Sequence, residues 1–102
     1  MVQSKYPNID YVLLTVVDGV TQKVDFIDRF GTKARVVEFH NEMAPSSAIS
    51  ARLRMNLKSG NVQAAKSRLL RSDASVYYEG DFQCVSIMGV GGTATVMMTV
   101  MW

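Results

Sequence analysis

Only one cysteine and one histidine occur in the chain, Cys84 and His40. A lone cysteine excludes an intramolecular disulfide framework and any paired-cysteine metal knuckle. A lone histidine leaves little for a zinc site, and no Ser-His-Asp arrangement can be read from it. Residues 1 to 20 contain Asp10 and Asp18 and lack the long apolar run behind a positive end that marks a secretory signal peptide. The expected location is therefore inside a cell or in a virion. Acidic residues are missing altogether from residues 43 to 72, which carry Arg52, Arg54, Lys58, Lys66, Arg68 and Arg71.

That last absence matters most. The net charge of the whole chain is only +2, because residues 1 to 42 hold five basic and six acidic groups and residues 73 to 102 hold three acidic groups and no basic one. Like charge gathered in one stretch of a small domain costs stability through self-repulsion, and a polyanionic partner would relieve it. RNA or DNA phosphates fit that role, with an affinity that falls as salt rises.

At 102 residues with 48% hydrophobic content, the chain supports one core and a single domain, residues 1–102. Ordering such a chain costs on the order of 100 kcal/mol in conformational entropy, so most apolar residues must be buried inside it or in a subunit interface. Phe82 to Trp102 runs for 21 residues without a charge, long enough to span a membrane. Gly89, Gly91 and Gly92 interrupt it, and its valines and threonines favour strands, so two buried strands joined at the glycines are expected. Gly89 to Gly92 lacks the Lys-Ser/Thr of a phosphate loop.

Elsewhere the pattern is also β-rich. Tyr11–Val17, Asp18-Gly19 and Val20–Ile27 read as a hairpin. A turn over Asp28–Lys33 leads to a strand at Ala34–His40 and a loop at Asn41–Ser47. From Ile49 to Lys58, Ile49, Ala51, Leu53, Met55 and Leu57 alternate with Ser50, Arg52, Arg54, Asn56 and Lys58, the signature of a half-buried strand. Val62–Arg71 fits either a helix or a returning strand. A three-residue Ser59-Gly60-Asn61 loop would set Arg54 opposite Lys66 and Arg52 opposite Arg68, whereas a two-residue turn would set Arg52 opposite Leu69 and mix the two faces. The first register is expected. Lys58 and Arg71 then fall outside the basic face. Ser75–Tyr78, a turn at Glu79-Gly80-Asp81, and strands at Phe82–Met88 and Thr93–Trp102 complete the chain. The expected fold is mainly β, or α+β if residues 62–71 are helical: a single antiparallel sheet or small sandwich of about seven strands.

Tyr77 and Tyr78 follow the basic block and point to opposite faces of a strand, so one at most can stack bases on the basic face. Glu38, His40 and Glu42 alternate and could serve a metal or acid/base pair, though a solvated face is the expectation. Cys84 reads as a buried, inert thiol. The final strand is apolar on both faces, as suits a central strand or one covered by another subunit.

The run Tyr-Val-Leu-Leu-Thr-Val-Val-Asp-Gly-Val-Thr, followed by Ala-Arg-Leu-Arg-Met-Asn-Leu-Lys-Ser-Gly-Asn and Lys-Ser-Arg-Leu-Leu-Arg, resembles the coat proteins of single-stranded RNA bacteriophages. The ending Gly-Gly-Thr-Ala-Thr-Val-Met-Met-Thr-Val resembles the last strand of a viral jelly roll. The first resemblance implies RNA bound on a sheet face of a coat dimer, dimers that assemble into a shell, and Arg52, Arg54, Lys66 and Arg68 as the phosphate-facing residues. The function expected is a self-associating coat or assembly protein that binds nucleic acid, without enzymatic activity or cofactor. A nonstructural single-strand-binding or regulatory module, and a small metal-dependent enzyme using Glu38, His40 and Glu42, are the alternatives.

Overall fold

Residues 6–56 and 67–102 are described in the structure, a computed structural model. Among them are eight strands: β1 (Ile9–Val16), β2 (Thr21–Asp25), β3 (Ala34–Asn41), β4 (Ser50–Asn56), β5 (Arg68–Leu70), β6 (Ser75–Phe82), β7 (Cys84–Val90) and β8 (Ala94–Met101). One short helix, α1 (Phe26–Phe30), follows β2. The strands form two antiparallel four-stranded sheets, β1-β8-β3-β6 (the first sheet) and β2-β7-β4-β5 (the second). The protein is thus mainly β and a small sandwich, with eight strands where the sequence pattern suggested about seven. First pairs with last, second with seventh, third with sixth and fourth with fifth, the strand order of a jelly roll.

That order corrects three local readings. Asp18-Gly19 does not close a hairpin, because β1 pairs with β8 in the first sheet and β2 with β7 in the second. The corner is held by backbone contact: Gly19 N–H donates to the Gly89 carbonyl at 3.0 Å and Gly89 N–H donates to the Val17 carbonyl at 3.1 Å. A Cβ at position 89 would sit 2.6 Å from the Gly92 oxygen and 2.7 Å from the Val16 oxygen, so only glycine allows this approach. Glu79-Gly80-Asp81 is not a turn either; β6 runs through it to Phe82 and crosses to β7 at Gln83. The strand expected to reach Ile27 stops at Asp25, whose Oδ1 accepts the Asp28 N–H at 3.0 Å and caps α1, while Gly31 ends the helix in the left-handed region at φ 79°.

Alternation then builds the core. Val12, Leu14 and Val16 of β1, Val96, Met98 and Val100 of β8 and Phe39 of β3 face Val24, Val85, Ile87, Leu53 and Met55 of the second sheet. The apolar stretch expected to form two strands does so as β7 and β8, turning at Gly91 and Gly92 with φ 80° and 150°. β8 is central, between β1 and β3; its Val96, Met98 and Val100 are fully buried in the sandwich, while Thr95, Met97 and Met101 on the outer side are half-buried. A bulge between Ala34 and Val36 lets Ala34 and Val37, three residues apart, both face the core, while Val36 is buried on the outer side of the sheet in the row of Met101 and Ile9. No helix among the described residues is long and apolar enough to cross a membrane.

Candidate nucleic-acid interface

The basic face begins with β4. Ala51, Leu53 and Met55 point into the sandwich, so Arg52 and Arg54 point out. The ladder registers extend their rows: Thr21, Met88, Arg52 and Leu69 lie side by side, as do Lys23, Ser86 and Arg54. Between them lies a hollow of about 270 Å³, lined by Arg52, Arg54, Thr21, Ser67, Ser86 and Met88 among others. Arg52 Nη1 donates to Ser67 Oγ at 3.5 Å. Among the described residues no carboxylate lies within ion-pair distance of Lys23, Arg52, Arg54 or Arg71.

Of the four residues expected to form the face, the structure brings two together. Lys66 lies outside the described residues, as do Lys58 and the Ser59-Gly60-Asn61 turn. Arg68 is a correction. β4 and β5 adopt the register that the sequence disfavoured, with Ala51 opposite Leu70, Arg52 opposite Leu69 and Leu53 opposite Arg68. Leu69 and Leu70 gain equally from burial, so their type cannot set the register. The Leu70 carbonyl accepts from Nδ2 of the buried Asn41 at 3.1 Å, and Leu70 rather than Leu69 turns inward. Arg52 is also spared a like-charged partner, which directly opposite would cost a fraction of a kcal/mol, about 0.2–1.

Arg68 instead reaches across the open side of the sandwich to Tyr78 on β6. Burial pushes the Tyr78 hydroxyl up from its ordinary pKa, and the charge and hydrogen bond of Arg68 pull it partly back. Tyr78 meets Phe39 and Phe82 edge to face, with centroids 6.3 and 6.1 Å away. Arg71, which the sequence put on the opposite side, lines the same outer surface as Ser50, Leu69 and Val90. Its place follows from the one-residue shift in register.

The other candidates lie on the first sheet. Tyr77 is exposed there, opposite Glu38, so neither tyrosine shares the basic face. His40 Nδ1 is 2.8 Å from Glu42 Oε1, and Nε2 is 3.3 Å from Asp73 Oδ1. The hydrogen bond that the ring donates to Glu42, joined by the attraction of both carboxylates, raises the imidazole pKa against an opposing effect of burial. Glu38 stands in the next row, opposite Thr99 and Tyr77. No group of three or more His, Cys, Asp or Glu side chains among the described residues could hold a metal ion. Cys84 is buried, as expected.

No protein-family model and no curated protein matches the chain. Several solved structures share its fold. The chain is similar to a subunit of the disulfide-linked pili formed by Bacillus endospore appendages, at 11% identity and a TM-score of 0.61, over 91% of this chain and 82% of that one. It is also similar to hydroxypropylphosphonic acid epoxidase from S. wedmorenis, in complex with fosfomycin, at 13% identity and 0.60, over 94% of this chain. RmlC from Streptococcus suis, in complex with dTDP-D-xylose, follows at 7% and 0.53. The chain spans 44% of each of those two enzymes. Identities this low establish the shared fold and nothing further.

Proposed function

We propose that the protein is a self-associating structural subunit, of the coat or assembly kind, whose second-sheet outer face binds a polyanion, most concretely single-stranded RNA. The observation that carries this is the set of Lys23, Arg52, Arg54 and Arg71 on one face with no carboxylate to neutralise them among the described residues. Hydroxyls of Thr21, Ser67 and Ser86 stand beside Arg52 and Arg54 and can donate to phosphate oxygens. The hollow of about 270 Å³ falls below the ~300–1,000 Å³ of small-molecule pockets, so it suits one group of a longer ligand. Without a tyrosine on this face, binding is driven by charge and carries little base preference.

Self-association is supported by the exposed Ile9, Tyr11, Leu13 and Tyr77 on the outer face of the first sheet, and an assembled filament is known for a protein of this fold. The inner faces are filled by apolar side chains, and the buried Asn41 is fully engaged, which favours surface binding over catalysis inside the sandwich.

The test is RNA binding measured over a range of salt. A binding constant that falls steeply with salt is expected, and Arg52→Ala with Arg54→Ala should flatten the log–log slope by about 1.4, roughly 0.7 per phosphate contact on a single strand. Circular dichroism should be unchanged. Salt-independent binding, or none, would sink the proposal.

A further inference from the structure

Of the four strands at the sheet edges, three are guarded or short. β2 spans five residues and carries Lys23 and Asp25, β5 spans three, and β6 carries Gly80 between Glu79 and Asp81. The fourth, β1, runs for eight residues with Asp10 as its one charge and exposes Ile9, Tyr11 and Leu13 at 48, 63 and 60%. A long, apolar edge is the kind that recruits another strand.

The direction of its backbone groups is fixed by the ladder. Asn8 and Trp102 exchange both backbone hydrogen bonds at 3.0 Å. Such pairs alternate along an antiparallel ladder, so Asp10, Val12, Leu14 and Val16 turn their N–H and C=O groups toward β8. Ile9, Tyr11, Leu13 and Thr15 turn theirs to the free edge, where no strand among the described residues meets them. One of these donors is occupied: the Tyr11 N–H donates to the carboxylate of Asp10 at 2.9 Å.

We infer that β1 pairs antiparallel with β1 of a second copy of this chain, about a two-fold axis through Val12. The occupant follows from self-complementarity. Free backbone groups recur at every second residue, so the pairing must match odd-numbered positions with odd-numbered positions. The register that uses all four sets Ile9 opposite Thr15 of the second copy, and Tyr11 opposite its Leu13. An aromatic side chain then covers an aliphatic one twice over, related by the axis. Val12 meets Val12, and Asp10 falls beside Leu14, so no like charges are opposed. The two first sheets join into one, while both basic faces stay free. Asp10 acts as a guard that must release the Tyr11 N–H before the strands can pair. This interface gives the proposed self-association its location and rests on that part of the reading alone.

Sedimentation velocity over a range of protein concentration, with amide hydrogen exchange at the extremes, tests it. A monomer–dimer equilibrium that is nearly independent of salt is expected, together with slowed exchange of the Ile9, Leu13 and Thr15 amides at high concentration. Leu13→Lys, which charges the edge, and Leu13→Pro, which deletes a free donor without touching the β8 ladder, should each weaken the dimer at least tenfold. Asp10→Ala should tighten it severalfold. RNA binding by monomer should be unaffected by either Leu13 change. A dimer that survives both substitutions, with those amides still exchanging freely, overturns the edge but leaves self-association standing. A chain that stays monomeric at every concentration overturns both, and the basic face is judged separately by its salt slope. Should the Leu13 variants misfold, the exchange pattern of the unaltered protein decides alone.

Discussion

Asn41 does more than any other single side chain to set the geometry of the basic face. It is fully buried; Nδ2 donates to the Ile49 and Leu70 carbonyls at 3.3 and 3.1 Å and Oδ1 accepts the Met43 N–H at 3.0 Å. It therefore ties the end of β3 in one sheet to the start of β4 and the end of β5 in the other. Asn41→Leu would strand buried backbone groups at a cost of about 1–3 kcal/mol each. The expected result is a lowered midpoint in urea with loss of the Leu69/Leu70 register, seen as Leu69 amide exchange. Gly89→Ala should destabilise by at least ~1–3 kcal/mol, because its neighbours are backbone on two sides and cannot rotate away. His40 adds a pH term. Its pKa is raised in the folded state from the ordinary 6.5 by Glu42 and Asp73, so the stabilisation is complete below that value and is lost as pH rises through the folded one. The groups are partly exposed, so the effect should be under ~1 kcal/mol. Urea titrations between pH 6 and 8 should show it, and His40→Gln should abolish it.

Among the elements, strands were legible wherever burial alternates. Ala51, Leu53 and Met55 announce β4, and the β-branched runs announce β1, β3 and β8. Pairing was hidden, because Asp18-Gly19 has the composition of a hairpin turn, and the signal against it is Gly89, seventy residues away in sequence. The β4–β5 register was hidden for a different reason. Two adjacent leucines offer the same hydrophobic gain in either frame, and the tie is broken by a hydrogen bond from Asn41. Arg68 and Arg71 exchange faces relative to the expected register as a consequence. Arg68 links edge strands β5 and β6 through Tyr78. Arg68→Ala should therefore let the Tyr78 pKa rise further, seen in an alkaline ultraviolet titration, while leaving the salt slope of RNA binding unchanged. A reduced slope with the Tyr78 titration unmoved would return Arg68 to the interface.

For the molecule as a whole, among the strands of the described residues, basic side chains without an ion-pair partner gather on the second sheet, whereas Arg35 of the first is paired with Asp81. Lys23, Arg52 and Arg54 project from the second, whereas the outer rows of the first hold Glu38, Glu79 and the His40 cluster amid Tyr11, Leu13 and Met97. The block of basic residues between positions 43 and 72 was a fair guide to one pole, although Lys23 joins it from outside. Long-range closure of this kind, first strand on last, makes every strand depend on distant ones. Removing β8 would take the centre from the first sheet and should leave a chain without a cooperative thermal transition.

The double hydrogen bond between Asn8 and Trp102 brings the entry to β1 and the exit from β8 to a single corner. Trp102 also packs there on Phe30 of α1, ring centroids 4.7 Å apart, so the start of β1, the end of β8 and the helix after β2 meet at one point. A circularly permuted chain, joined there by a short glycine-serine bridge and reopened at the Gly31 turn, should fold with a single cooperative thermal transition.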